Sequence, residues 1–422
     1  MATYQDIKGL RVKYLSSDPS TLVGGDVWYN STSGTLKGVV NFAAWSSGAN
    51  AITARRSAGY AGTKDANLIW GGGDPSMNNT EEYNGSGWST GGDFGSSGYK
   101  ATGFGTQTAA ISGGRYDGGM KTTAEEYDGS SWTAIPALST AIAAAGGAGT
   151  NTAGAIFGGS TGPAFHASTN ATEEYNGSSW TAGGALTTSR TYLAGFGTQT
   201  TAVGSAGYTG PSGAVMTATE EYDGSTWTAG GNLPTGNKQQ AGSGTSAAGV
   251  TFGGSYNPAS PTTVNVTNTY DGTSWAISPA TLTTGRRNLG GSPSGTSSSA
   301  LASCGTDASP ANVANTEEFN SSINTITAGA WASGGAMTLG RYNAFGYGTQ
   351  TAAVASGNDG TYATTTEEYG GTSWTAGGVL NTGRGGGRAG GTQAAGIVFA
   401  GYTGSNSTAT ETYNGTAYAT SP

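Results

Sequence analysis

The side chains of this chain that could carry out chemistry are mostly carboxylates, and all 13 glutamates lie in copies of one recurring segment. One copy reads Glu220-Glu221-Tyr222-Asp223-Gly224, and Trp227 follows it. Two carboxylates could act as the acid and base of a glycoside hydrolase, but they would have to face one substrate. Neighbouring residues of a strand point to opposite faces of the sheet. We therefore expect one glutamate of each pair to be solvated, and the other to accept hydrogen bonds from backbone or from an arginine of the neighbouring repeat.

The chain has few of the residues that other common catalytic and metal-binding sites require. The chain has one histidine, His166, and one cysteine, Cys304, so paired-histidine or paired-cysteine metal sites cannot form. The acidic residues are evenly dispersed, which disfavours calcium sites. We therefore expect no cofactor, no metal and no enzymatic activity. A glycan-degrading enzyme is kept as an alternative, with carboxylates drawn from four aspartates outside the repeated pattern, namely Asp74, Asp117, Asp307 and Asp359.

Composition and charge exclude further classes. The formal net charge is −8 and the 17 basic residues are scattered, so we expect no nucleic-acid binding. No stretch reaches the length of an apolar membrane span, so we expect no membrane insertion. The chain is 35% hydrophobic and contains 77 glycines, but its tyrosines and tryptophans are regularly spaced. That regularity indicates an ordered protein of many short strands and tight turns.

The recurring segment predicts the architecture. Its copies are spaced 44 to 50 residues apart, as expected for one four-stranded propeller blade. We predict an all-β fold, a single β-propeller of eight blades, with seven blades as the alternative. The eight copies begin at Glu81, Glu125, Glu173, Glu220, Asn268, Glu317, Glu367 and Glu411.

One repeat shows how the strands of a blade are arranged. Residues 190–196 and 201–207 predict the first two strands, A and B, and residues 218–222 predict strand C. Asp223-Gly224 is a strong hairpin signal because both positions of a type I′ turn need positive φ. Residues 225–229 then form the outer strand D, in which Trp227 is large enough to fill the wedge between blades.

These residues resemble the kelch repeat over roughly residues 50 to 420. Kelch blades end an apolar strand in Gly-Gly, place a Tyr-Asp and a Trp downstream, and open with an arginine. The Gly-Gly pairs are Gly72-Gly73, Gly113-Gly114, Gly158-Gly159 and Gly253-Gly254, and the opening arginines are Arg55, Arg190, Arg286, Arg341 and Arg384. The resemblance implies a propeller architecture and does not identify a ligand.

The N-terminal region resembles a different group of proteins. Residues 27–37 predict a hairpin that is similar to a segment common near the N-termini of tail-fibre-like structural proteins of marine bacteriophages. We therefore predict an attachment segment at residues 1–35 that docks to other virion proteins, followed by a kelch-like propeller at residues 36–422. The strand containing Trp45 is expected to close the ring by completing or reinforcing the last blade, because unpaired sheet edges invite aggregation.

The loops between strands B and C, the B–C loops, vary in length and sequence from blade to blade. Variable loops on a rigid scaffold commonly carry recognition. Tyrosine and phenylalanine rings can stack on sugars while amides bind the hydroxyl groups, so we predict a glycan-binding face. Its predicted ligand-binding residues are Met77, Tyr116, Met120, Phe165, His166, Tyr208, Met216, Tyr256, Tyr362 and Tyr402.

The predicted function is that of a non-enzymatic bacteriophage virion protein, a tail fibre or another appendage, whose loop face recognises a host-surface glycan or protein. The N-terminus lacks the apolar core of a secretory signal, so we expect assembly in the host cytoplasm and release by lysis. The main alternative is a purely structural decoration or fibre subunit, and a cell-surface or intracellular scaffold is a third. Homo-oligomerisation and the role of an insertion at residues 321–330 stay open.

Overall fold

The computed structural model describes residues 13–22, 26–73, 76–162, 165, 167–210, 215–256, 262–328, 335–357 and 362–421. These residues form strands and turns, and the prediction of an all-β propeller fold is confirmed. The chain divides into two compact units, Met1–Ala328 and Gly329–Pro422.

The strands of the first unit are β1 (Lys13–Leu15), β2 (Val27–Asn30), β3 (Thr35–Ser47), β4 (Gly59–Gly62), β5 (Asn67–Trp70), β6 (Thr80–Tyr83), β7 (Trp88–Thr90), β8 (Thr102–Thr106), β9 (Ala109–Tyr116), β10 (Met120–Tyr127), β11 (Trp132–Ile135), β12 (Gly146–Thr150), β13 (Ala153–Phe157), β14 (Thr172–Tyr175), β15 (Trp180–Ala182), β16 (Ala194–Thr198), β17 (Thr201–Ser205), β18 (Thr219–Tyr222), β19 (Trp227–Ala229), β20 (Ala241–Thr245), β21 (Ala248–Phe252), β22 (Thr267–Tyr270), β23 (Trp275–Ile277), β24 (Ser299–Ser303) and β25 (Thr316–Ala328). Those of the second unit are β26 (Phe345–Thr349), β27 (Ala352–Ser356), β28 (Thr366–Tyr369), β29 (Trp374–Ala376), β30 (Arg388–Thr392), β31 (Ala395–Phe399), β32 (Thr410–Tyr413) and β33 (Tyr418–Ser421).

These strands form eight sheets, and each copy of the recurring segment lies in a sheet of its own. Blades 1 to 5 are β4–β7, β8–β11, β12–β15, β16–β19 and β20–β23, all antiparallel. Blade 6 contains β24, β25 and β3, and an isolated bridge between Gly290 and Ser303 takes the place of its inner strand. Blades 7 and 8, β26–β29 and β30–β33, make up the second unit.

Neighbouring blades are joined by side chains of the recurring segment. The tyrosine of one blade donates a hydrogen bond to the second glutamate of the preceding blade, as Tyr222 does to Glu174. Burial and this hydrogen bond to the Glu174 carboxylate raise the pKa of Tyr222 to about 12. The tryptophan of a blade donates a hydrogen bond from its indole N–H to a threonine of the preceding blade, as Trp227 does to Thr172 over 3.0 Å. The tyrosine–glutamate pairs are Tyr127–Glu82, Tyr222–Glu174, Tyr270–Glu221, Tyr83–Glu318 and Tyr413–Glu368. The tryptophan–threonine pairs are Trp132–Thr80, Trp227–Thr172, Trp275–Thr219, Trp45–Thr267 and Trp88–Thr316.

These bonds close the first unit after six blades. Tyr83 of blade 1 donates to Glu318 of blade 6, and Trp88 of blade 1 donates to Thr316 of blade 6. Blade 1 therefore follows blade 6 in a ring, and the other two of the eight blades lie in the second unit.

Strand β3 supplies the outer strand of blade 6. Its Trp45 is paired with Phe319 of β25, which is the register of Trp227 with Tyr222 in blade 4. The Trp45 ring lies 5.2 Å from Phe319 and 4.8 Å from Phe252 of blade 5. This pairing corrects the expectation that the Trp45 strand completes the last blade, because β3 occupies the outer edge of β25 in blade 6.

The predicted N-terminal hairpin is present, because β2 pairs with the first residues of β3 in antiparallel fashion. Both β3 and β25 continue beyond blade 6, so the sheet order is β1-β2-β3-β25-β24. The insertion predicted at 321–330 is, as far as Ala328, the continuation of β25. Asp18 accepts hydrogen bonds from Trp28, Asn30 and Lys37, and the Lys37 bond in particular lowers the pKa of Asp18.

The first glutamate of each pair is buried and belongs to the scaffold. Glu220 is 2% exposed, pairs with the buried Arg190 and accepts the Thr187 N–H. The arginine comes from the same blade and not, as expected, from the neighbouring one. It opens the inner strand of the blade that carries the glutamate, except in blade 2, where Arg115 lies in β9. The ion pairs are Arg55–Glu81, Arg115–Glu125, Arg190–Glu220, Arg286–Glu317, Arg341–Glu367 and Arg384–Glu411. In blade 5 the two positions are Asn237 and Asn268, so the arginine and the glutamate are replaced together.

Candidate ligand-binding site

Six backbone hydrogen bonds surround the axis of the first unit. Each involves the residue that enters the inner strand of a blade, and each N–H donates to the equivalent carbonyl of the preceding blade over 2.6–3.0 Å. All six residues have φ between 53° and 60° although none is glycine. Residues in this left-handed region are uncommon and often mark functional sites. This axial ring consists of Ser57, Lys100, Ala144, Tyr192, Gln239 and Asn288.

The residue before each ring residue is held at the same end of the axis. It forms a bridge with a residue at or just after the end of strand B, as between Tyr99 and Tyr116 or between Arg287 and Thr306. The side chains at this end therefore come from the starts of the inner strands and from the B–C loops. We call this region the axial mouth.

Four cations converge on the axial mouth. Arg56 and Arg287 lie next to the ring in blades 1 and 6, Lys238 lies next to it in blade 5, and Lys100 is a ring residue in blade 2. Burial, with repulsion from Arg56, Arg287 and Lys238, lowers the pKa of Lys100 to about 7. Burial and repulsion between cations also lower the pKa of Arg287 and of Lys238. An anion bound here would relieve the repulsion and compensate for the cost of burial.

Aromatic rings enclose Lys100. Its ammonium lies 3.3 Å from the centroid of Phe165 and 4.6 Å from that of Tyr192, and it donates a hydrogen bond to the Tyr192 hydroxyl. Phe165 lies 5.2 Å from Tyr116 and 6.3 Å from Tyr99, so the rings form one cluster. In a similar way Lys238 lies 4.5 Å over Tyr208 on the other side of the mouth. Both ammonium groups make cation–π contacts that hold them near the axis.

A cavity of about 460 Å³ opens at the axial mouth. Its walls combine cationic, polar and aromatic side chains, among them Arg56, Tyr99, Lys100, Gln239, Arg287 and Asn288. This volume is that of a small-molecule site, and a positively charged cavity with low-dielectric walls concentrates anions. The arrangement can therefore bind an anionic group with cations while amides and hydroxyls bind its polar neighbours.

The structure brings three of the predicted loop residues to this site. Phe165 and Tyr208 are 9% and 6% exposed, so they are folded over the cations and do not project into solvent. Tyr116 lies beside them through its bridge with Tyr99.

None of the other predicted residues that the structure describes lines the cavity. Met77 and Met216 have their backbone N–H groups bonded to Gly72 and Gly207, and Met120 begins β10. Tyr256 is 37% exposed. Tyr362 and Tyr402 pair with each other at 5.7 Å in the second unit, and His166 lies outside the described residues.

The carboxylates kept for a glycosidase are not brought together in the described part of the chain. Asp117 is exposed in a loop, and Asp307 accepts hydrogen bonds from Ser309, which lower its pKa. Asp74 and Asp359 lie outside the described residues. Among the residues described, no group of three or more His, Cys, Asp or Glu side chains is placed to hold a metal ion. The same residues include no helix long and apolar enough to cross a membrane.

The residues predicted from the sequence to bind a ligand do not include the cations of the axial mouth, although the sequence contains a signal for two of them. Two of the opening arginines are doubled, as Arg55-Arg56 and Arg286-Arg287. In each doublet the first arginine is buried against the glutamate of its blade and the second lies at the axial mouth. A doublet at the start of an inner strand thus marks one scaffold residue and one site residue.

Comparisons with known proteins agree with the class of fold, a β-propeller. No protein-family model matches the chain, and no curated protein matches it. Among solved structures it is similar to that described as "Structure of YjhT", with a TM-score of 0.54 and 13% sequence identity. The match covers 63% of this chain and 95% of that chain, and at this identity it shows the fold alone.

Proposed function

We propose that the protein is a non-enzymatic recognition protein, a kelch-like propeller of a bacteriophage virion, and that its axial mouth binds an acidic glycan of the host surface. The observation that carries this proposal is the convergence of cations on the axial mouth: Arg56, Lys100 and Arg287 line its cavity, and Lys238 lies next to the axial ring in blade 5. The formal net charge of the chain is −8, so this positive region is local and not a consequence of overall composition.

The lining of the cavity suits an acidic sugar better than a bare inorganic anion. Tyr99 offers an aromatic face, and Gln239 and Asn288 offer amides beside the cations. Arginine pairs with a carboxylate through two parallel hydrogen bonds, and Arg287 has a buried Nε without a partner among the described residues. A carboxylate on a pyranose ring would use all three kinds of group.

The virion role is supported by the N-terminal resemblance and by the sheet that projects from blade 6. β1, β2 and the first part of β3 extend that sheet beyond the blade, and Tyr14 is 75% exposed on it and stacks on Tyr29 at 5.3 Å. An extended sheet with exposed aromatic groups is suited to docking against another virion protein. Mass spectrometry of purified virions tests this location, and absence of the protein from the particles would contradict it.

Replacing Arg287 by methionine is expected to weaken binding of an acidic glycan about 10- to 100-fold, because a hydrogen bond between charged groups contributes about 1.5–3 kcal/mol. A glycan array identifies a carboxylate-bearing ligand, and calorimetry then measures its affinity for the intact chain and the variant. The control is Arg388→Met, which removes an exposed arginine of the second unit. Equal binding of neutral and acidic glycans would contradict the site, and failure to bind any glycan would favour a purely structural virion subunit.

The affinity for the acidic glycan is expected to fall as the pH rises from about 6 to about 9. The pKa of Lys100 in the free protein is about 7, so the ammonium that attracts the ligand is lost over this interval. The groups that face Lys100 are Arg56, Arg287 and Lys238, together with Tyr192, whose pKa is raised by burial. Calorimetry at several pH values should show a larger decline in the natural chain than in Lys100→Met, in which only Lys238 with its lowered pKa contributes. A decline of equal size in both proteins would assign the effect to another group.

A further inference from the structure

The second unit has an uncovered apolar face on blade 8. Ile397 and Phe399 of β31 are 40% and 42% exposed. The equivalent residues of blade 5, Val250 and Phe252, are 0% exposed because blade 6 covers them. The face of a blade that is normally covered by the next blade is therefore open on blade 8.

The opposite face of the second unit, on blade 7, is also uncovered. Tyr369 is half-buried and its hydroxyl donates to Gly371 of its own turn, whereas the tyrosines of blades 1 to 5 are at most 3% exposed. Gln350 is exposed in the A–B turn of blade 7. Its equivalent in blade 8, Gln393, donates to the carbonyl groups of Ala353 and Tyr369 in the blade before it. Blade 7 thus carries the side chains that join a blade to a preceding one.

The two faces are complementary by the rules that hold between the other blades. Where the strand B residue that pairs with the first residue of strand A is aromatic, a tryptophan of the next blade packs on it: Trp132 on Trp70 at 4.8 Å, Trp227 on Phe157 at 4.7 Å and Trp45 on Phe252 at 4.8 Å. Blade 8 ends strand B in Phe399, and blade 7 supplies Trp374. Where blade 7 ends strand B in Ser356, blade 8 has Tyr418, and these side chains are 2.7 Å apart.

The same rules assign polar partners to the two faces. Every tryptophan–threonine bond uses the threonine that precedes the glutamate position, and in blade 8 this residue is Thr410. Thr410 is half-buried, while Thr80, Thr172 and Thr219 are at most 2% exposed. The indole N–H of Trp374 fits Thr410, and the amide of Gln350 fits the backbone carbonyls of Gly396 and Tyr413.

We propose that blade 7 of one copy packs on blade 8 of a second copy, and that three copies close a ring of six blades through their second units. The first unit shows that blades of this sequence close at six, which is a rotation of about 60° per blade. Two blades turn by about 120°, so three copies complete the circle. A head-to-tail contact with that rotation produces a closed three-fold oligomer. The second unit already contains one link of an axial ring, since the Gly386 N–H donates to the Asn343 carbonyl over 2.8 Å.

The full chain is expected to be a trimer in solution by light scattering coupled to size exclusion. The double variant Ile397→Asp/Phe399→Asp is expected to be monomeric at micromolar concentration, since a buried unpaired charge disrupts such a face. The control is Ile277→Asp, which changes a residue that is 59% exposed on the outer strand of blade 5 and should leave the trimer intact. Circular dichroism establishes that each variant is folded.

A mixing experiment separates this geometry from other modes of association. The Phe399→Asp chain keeps an intact blade 7 face, and a Trp374→Ala chain keeps an intact blade 8 face. Each alone is expected to be monomeric, and an equimolar mixture should form a 1:1 complex that cannot close. A monomeric natural chain, or an oligomer that survives Ile397→Asp/Phe399→Asp, would overturn the proposal. Because no glycan is involved, these outcomes are independent of ligand binding at the axial mouth.

Discussion

Replacing Arg190 by methionine is expected to lower the free energy of unfolding of the first unit by about 3–5 kcal/mol, the usual cost of removing one member of a buried ion pair. Arg190 is 0% exposed and bonds to Glu220 and to the carbonyls of Ala206 and Ala218. Without it, the Glu220 carboxylate stays buried and keeps only backbone N–H partners such as Thr187. Chemical denaturation followed by tryptophan fluorescence measures the change.

A second variant distinguishes an unpaired charge from lost packing. Arg190→Met/Glu220→Gln removes both charges and should recover a substantial part of the stability, because apolar replacement of a whole buried pair is often nearly neutral. Blade 5 already uses uncharged residues at both positions, Asn237 and Asn268. If the double variant is no more stable than Arg190→Met, the unpaired carboxylate is not the cause of the loss.

Replacing Trp45 by alanine is expected to cost about 3 kcal/mol, the lower part of the range for a tryptophan in a core, because Trp45 is half-buried. The substitution removes ring contacts with Phe252 and Phe319 and the hydrogen bond to Thr267. These contacts hold β3 in blade 6, so their loss weakens the position at which the ring closes. Denaturant titration of the variant should show a lower midpoint for the first unit.

The control for Trp45 lies on the same strand. Phe42 of β3 is 42% exposed and is paired with Ile323, outside the blade. Phe42→Ala removes an aromatic ring without opening the ring of blades and should cost less than about 1 kcal/mol. Equal losses for Trp45→Ala and Phe42→Ala would mean that β3 contributes through strand pairing alone and that Trp45 is not needed for closure.

Departures from the repeat occur together in space. Blade 6 has Phe319 in place of the tyrosine, and the glutamate that its hydroxyl would reach in blade 5 is replaced by Thr269. A phenylalanine beside an unpaired glutamate would leave a partly buried carboxylate without its donor, which is costly. The paired change shows that tyrosine and glutamate act as one connection between blades.

Much of the scaffold could be predicted from the sequence because the strands of one blade are close together in the sequence. Asp223-Gly224 specifies a turn, and the spacing of Glu220, Tyr222 and Trp227 places them on neighbouring strands about the turn. The all-β class, the eight blade sheets and the structural role of the glutamates follow from that local pattern. The aromatic residues of the B–C loops were predicted as a recognition face, and that prediction stays untested.

What only the tertiary structure decided is where the ring closes and which side chains meet on its axis. Closure joins β3 to β25, whose Ser46 and Glu318 are 272 residues apart, and no local pattern encodes such a pairing. Arg56, Lys100, Lys238 and Arg287 come from four blades, and only the two arginines have a local signal in the sequence, the doublets Arg55-Arg56 and Arg286-Arg287. They become a site because the rotation between blades brings the starts of six inner strands to one axis. The repeat therefore determined what each blade is, while packing between blades determined how many blades close and what they enclose.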